Sequence, residues 1–101
     1  MIKNGMRPVH PGEILREEVL AELGMSANAF AQALNVPANR ITAILNGGRS
    51  ITADTALRLA RYLGGGPEGW LNLQSQYDLR VAEIDAGARI AKEVKPRAKA
   101  A

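Results

Sequence analysis

The stretch from Met25 to Arg49, MSANAFAQALNVPANRITAILNGGR, holds two short helical patterns separated by a tight turn. Ser26 suits an N-cap, where its hydroxyl accepts from an early backbone N–H. Ala27, Phe30, Ala31 and Leu34 then share one face of a helix expected over 27–34. Asn35 tolerates the left-handed conformation in which helices end, and Val36 points inward. A second helix opens at Pro37 and runs to Leu45 or Asn46, with Ile41, Ile44 and Leu45 on its inner face. Gly47-Gly48 ends it. The small Ala31, four residues before the turn, lets two steeply crossed helices approach closely.

The same reading extends outward in both directions. On the N-terminal side, residues 1–9 form an irregular arm, and a helix is expected from Pro11 to Leu23. Pro11 fits the first helical position and Glu13 the positive end of the dipole. Leu15, Val19 and Leu23, with Leu20 beside them, make its stripe, and Gly24 stops it. On the C-terminal side, Thr52 caps a helix whose inner stripe reads Ala56, Leu57, Ala60 and Leu63, with Arg58 and Arg61 facing water. Gly64-Gly65-Gly66 is a break. Pro67 and Glu68 open a fifth helix to about Asp85. It carries Trp70, Leu73, Tyr77, Val81 and Ile84 in one row, and Leu71 and Leu79 in another. That is more apolar surface than one partner helix covers, which makes Trp70, Leu71, Leu73, Tyr77 and Val81 candidates for a homodimer interface. Residues 86–101 are rich in Ala, Lys and Arg, with few large apolar groups, and read as a basic, disordered tail. No segment alternates with the period of a strand. The fold class is therefore all-α, with five helices in one domain over residues 10–85.

Composition narrows the chemistry. The chain has 101 residues, no Cys and a single His. Those counts exclude a disulfide framework and a Cys-based zinc site, and leave a multi-His metal site unsupported. Ser26, Ser50 and Ser75 with His10 give no nucleophile–base pair, and no Gly-rich phosphate loop follows a strand. No enzymatic activity, metal or cofactor is expected. His10, before a proline, reads as a helix-terminal or surface residue. No run reaches the roughly 20 apolar residues of a membrane span, and no signal peptide is visible at the N-terminus. A cytoplasmic protein is the expectation.

The net charge of +3 is unevenly placed. Between residues 25 and 66, Arg40, Arg49, Arg58 and Arg61 face Asp54 alone. Acidic stretches flank this segment: Glu13, Glu17, Glu18 and Glu22 before it, Glu68, Asp78, Glu83 and Asp85 after it. A basic middle between acidic neighbours suits one polyanionic partner and a second partner of another kind.

The side chains off the apolar face of the 37–49 region suit the DNA major groove, which accepts one α-helix. Asn39 can pair with adenine, Arg40 can reach guanine or a phosphate, and Thr42 can contact a thymine methyl or accept a hydrogen bond. Ala43 leaves room for close approach. Asn46 and Arg49, beside the open backbone of Gly47 and Gly48, suit phosphate contacts. Pro37 and Ala38 at the start of this helix, and Ser26 and Asn28 at the start of the preceding one, complete the candidate set.

Met25-Ser26, Phe30-Ala31, Leu34-Asn35-Val36, Ile41-Thr42-Ala43-Ile44 and Asn46-Gly47-Gly48-Arg49 together resemble the helix-turn-helix of phage-repressor-like (XRE/Cro) proteins. The resemblance covers residues 14–64 and implies a lambda-repressor-like domain. Ala27 stands where that pattern often has Gln, and Asn35 where it has Gly. A narrower likeness adds His10-Pro11-Gly12-Glu13, the run Ser50 to Ala60, and Trp70-Leu71-Asn72-Leu73-Gln74. Those motifs resemble HigA-type, VapI-like antitoxins over residues 7–84. This likeness implies a dimeric antitoxin of a type II toxin–antitoxin module. Such a protein represses its own operon and neutralises a RelE-like, mRNA-cleaving, HigB-like toxin. A stand-alone repressor of the same family, without a toxin partner, is the alternative.

Overall fold

A computed structural model describes residues 7–98. It contains five helices and, among the described residues, no strand. The first, α1, covers residues 11–23 in three pieces: α-helical Pro11–Ile14, π-helical Leu15–Leu20 and α-helical Ala21–Leu23. Then follow α2 (Ala27–Leu34), α3 (Ala38–Leu45), α4 (Ala53–Leu63) and α5 (Glu68–Glu93). Of the expected N-terminal arm, residues 1–6 lie outside the described residues; 7–9 are irregular.

Local chemistry explains the boundaries. Ser26 Oγ accepts from Ala29 N at 3.1 Å, and Thr52 Oγ1 accepts from Thr55 N. Three helices close on a left-handed residue, whose N–H and the one after it turn back onto orphan carbonyls. Gly24 (φ 66°) and Met25 donate to Ala21 and Leu20; Asn35 (φ 57°) and Val36 donate to Gln32 and Ala31. Gly47 (φ 77°) and Gly48 donate to Ile44 and Ala43. The third closure ends the helix that faces outward, so it also fixes the loop toward Arg49.

The core is one cluster. Leu15, Phe30, Ile41, Ile44, Ala56 and Leu59 are fully buried, with Leu20, Ala31, Leu34, Leu45 and Ile51 around them. Each such Leu, Ile or Phe contributes roughly 1.5–3 kcal/mol of burial. Phe30 meets Tyr62 edge-on at a centroid distance of 6.0 Å.

The structure corrects four of the sequence expectations. Leu23 does not complete the α1 stripe; it is 46% exposed. The π-helical piece, with its i→i+5 bonding, brings Leu20 to the same side as Leu15. Both are buried, Val19 stays half-buried at the edge of the core, and the wider turn carries Leu23 outward. On α4, Leu57 is 60% exposed, and the inward stripe is Thr55, Ala56 and Leu59, with Ala60 and Leu63 half-buried. Arg58 is half-buried rather than solvated, because its guanidinium reaches back to α2. Finally, α5 continues through Gly87 to Glu93, so the first part of the expected tail is helical. Residues 99–101 of that tail lie outside the described residues.

Candidate nucleic-acid interface

The outward helix α3 is held from behind by the N-terminal end of α1. Gly12 lies against the carbonyl of Ile44, too close for any side chain. His10 caps α1: its Nδ1 accepts from Gly12 N at 2.9 Å. The same ring faces Gly47, where a side chain's Cβ would reach it, and meets Tyr77 of α5 edge-on, with centroids 4.9 Å apart. Arg16 donates to the Leu45 carbonyl at 3.3 Å. The last turn of α3 is thus seated on α1, and through His10 on α5.

His10 is a buried cap and not a surface residue. Burial holds its imidazole below the usual histidine range, against the opposing pull of Asp78 and of the Arg49 backbone. The loop after α3 has its own anchor. The buried Gln74 accepts from Ile51 N at 2.8 Å through Oε1, and donates to Asp78 at 2.9 Å through Nε2.

With α3 fixed, its far face is open. Ala38, Asn39, Thr42 and Asn46 are exposed, and so are Arg49, Pro37, Ser26 and Asn28. Ala43 is half-buried, with its carbonyl taken by Gly48 N. Thr42 donates its hydroxyl to the Ala38 carbonyl at 3.1 Å, which orients the side chain on the helix surface. Ser26 Oγ is occupied as a cap. Arg40 is half-buried, and alone among these residues it is paired with a carboxylate. Its Nη1 donates to Asp54 Oδ2 at 2.6 Å, and the same oxygen accepts from Arg58 Nε at 2.8 Å. Arg58, then Arg40, hold the Asp54 carboxyl below the usual carboxylate range. The sequence-derived candidate set lacks both Asp54 and Gly12. The signal for Asp54 is its position as the one acid among four arginines.

A helix-turn-helix family model matches residues 15–71. Virulence-associated protein I of Dichelobacter nodosus is 58% identical over 83 residues, which cover 82% of this chain and 77% of that protein. A solved addiction-module antidote protein of the HigA family from Coxiella burnetii is 60% identical. It superposes with a TM-score of 0.85 over 90% of this chain and 99% of its own. The chain belongs to the HigA/VapI family of helix-turn-helix proteins. A further HigA-family structure, the Pseudomonas aeruginosa antitoxin HigA with the higBA promoter, is 44% identical. Its TM-score is 0.88, over 91% of this chain and 100% of that one.

In this HigA-family chain the apolar residues of the fifth helix differ in burial. Trp70 and Leu71 pack on the chain's own core, and Tyr77 packs on His10. Leu73 and Val81 are half-buried. Leu79, Ile84 and Ile90 of the same helix are exposed, as is Val94 just after its end. Leu79 and Ile90 line a shallow groove with Ala82, Glu83, Gly87 and Ala88. Among the described residues no cluster of His, Asp and Glu could hold a metal ion, and no helix is long and apolar enough to cross a membrane.

Proposed function

We propose that this chain is the antitoxin of a type II toxin–antitoxin module and a sequence-specific repressor of its own operon. The observation that carries the DNA half of this reading is the open face of α3. Asn39, Thr42 and Asn46 stand exposed on a helix whose opposite face is buried in the core. The major groove accepts such a helix and presents base edges that Asn and Arg distinguish. Asn39 reads a base, and Arg49 neutralises a phosphate. The HigA structure solved with its promoter supports the same use of the fold.

Repression of a twofold operator requires two copies. Their recognition helices must lie about 34–36 Å apart to enter successive major grooves. In this reading α5 supplies the dimer contact, with Leu73 and Val81 extended by Leu79, Ile84 and Ile90. The second partner is a RelE-like, mRNA-cleaving toxin of basic character, met by the acidic face of α1. Glu17 and Glu18 are exposed there, and opposite charges steer such an encounter. A protein that meets both partners works in the cytoplasm.

The DNA half is tested by mobility shift on the DNA upstream of the chain's own coding sequence, against random DNA of equal length. The toxin half is tested by co-purification with the product of the adjacent gene. Charge reversal at Glu17 and Glu18 is expected to weaken that association, and unchanged association removes α1 as the contact surface.

A further inference from the structure

Asp54 is the only acidic residue between positions 25 and 66. A carboxylate beside a surface that meets a polyanion lowers affinity for every sequence alike. Yet Asp54 lies within that surface. Its Oδ2 accepts from Arg40 of α3 at 2.6 Å and from Arg58 of α4 at 2.8 Å. Arg58 donates in turn to the carbonyls of Leu34 at 3.1 Å and Asn35 at 3.3 Å, where α2 ends. The Arg40 guanidinium is therefore fixed from outside its own helix, through Asp54 and Arg58, to the turn of the helix-turn-helix.

Asp54 and Arg58 are largely exposed, so their pairing adds little to stability and does not by itself account for a carboxylate that opposes a polyanion. The direction imposed on Arg40 does account for it. A guanidinium has five N–H donors in a rigid fork. Asp54 engages Nη1 and leaves donors for a planar acceptor pair. An arginine that swings freely meets any phosphate, whereas one held in place addresses only the acceptor in front of it, such as O6 and N7 of a guanine.

We propose that Asp54 is a specificity-determining positioning residue, which holds Arg40 so that it reads one base-pair edge instead of the phosphate backbone at large. The proposal rests on the DNA-reading function above. Its test compares wild type, Asp54→Asn, Arg40→Ala and the double variant, by mobility shift on the chain's own upstream DNA and on random DNA.

Asp54→Asn is expected to bind random DNA more tightly, because a negative charge is gone. The ratio of upstream to random affinity should fall about tenfold. Asp54→Glu should recover part of that ratio, and in the Arg40→Ala background Asp54→Asn should leave the ratio unchanged. Asp54→Ser gives the same comparison should the Asn variant not fold. An unchanged ratio in Asp54→Asn, or an equal change with and without Arg40, overturns the proposal alone. A wild-type protein that does not distinguish the two DNAs overturns the DNA-reading function and the proposal with it.

Discussion

Gly12 of α1 and Ile44 of α3 are in backbone contact: a methyl group on residue 12 would fall inside the radius of the Ile44 carbonyl oxygen. The recognition helix therefore sits on α1 with no side chain between them at that point. Gly12→Ala forces the helices apart. The expected loss is about 1–3 kcal/mol, the usual cost of overpacking. Thermal unfolding measures it, and a melting temperature equal to wild type contradicts the contact.

The buried hydrogen bond from Ile51 N to Gln74 ties the α3–α4 loop to α5. Gln74→Leu keeps much of the volume but leaves that N–H without its acceptor. Removing one partner of a buried bond costs roughly 1–3 kcal/mol. Denaturant unfolding should show a lower midpoint at unchanged slope, whereas a neutral result would mean that water replaces the amide.

His10 makes stability depend on pH. Its folded-state pKa is lowered by burial from the ordinary value of 6.5. Below that value the unfolded chain takes up a proton that the folded chain resists, so stability rises with pH through this window and falls as pH drops. Protonation at Nδ1 would also set two donors face to face at the Gly12 N–H. Melting temperatures between about pH 5 and 8 should fall on the acid side, and His10→Asn should flatten that part of the curve. A wild-type curve that rises toward acid pH contradicts the assignment.

Leu59 and Leu57 lie two residues apart on α4 with opposite fates, fully buried and 60% exposed. Leu59→Ala should cost about 2–5 kcal/mol, and Leu57→Ala no more than about 0.5 kcal/mol. Equal losses measured by denaturant unfolding would restore the stripe expected from sequence.

That pair shows where sequence reading succeeds and where it stops. Ser26, Thr52, Gly24 and Asn35 act through bonds within a few residues, so their roles are visible in the chain itself. The helix-turn-helix and its outward Asn39, Thr42 and Asn46 follow from those local signals and from the Ile41–Ile44–Leu45 face. The inward side of α4 depends on which neighbour it meets, and Leu57 and Leu59 each complete a plausible stripe. The π-helical turn in α1 is announced by no residue type. The C-terminal part of α5 has few large apolar groups beyond Ile84 and Ile90, yet Ala, Arg, Lys and Glu are strong helix formers. Contacts such as Arg40 with Asp54, or His10 with Tyr77, join residues far apart in sequence and become visible only when the helices cross.

Recognition of a specific DNA sequence by α3 is tested most directly by affinity measurements on wild type, Asn39→Ala and Arg49→Ala. Each protein is titrated against the chain's own upstream DNA and against random DNA, across several salt concentrations. Wild type should prefer its upstream DNA. Asn39→Ala should lose about 1–3 kcal/mol on that DNA and little on random DNA. Arg49→Ala should weaken both, with a salt slope shallower by about one. Equal losses on both DNAs for Asn39→Ala, or a wild type without preference, would contradict the account.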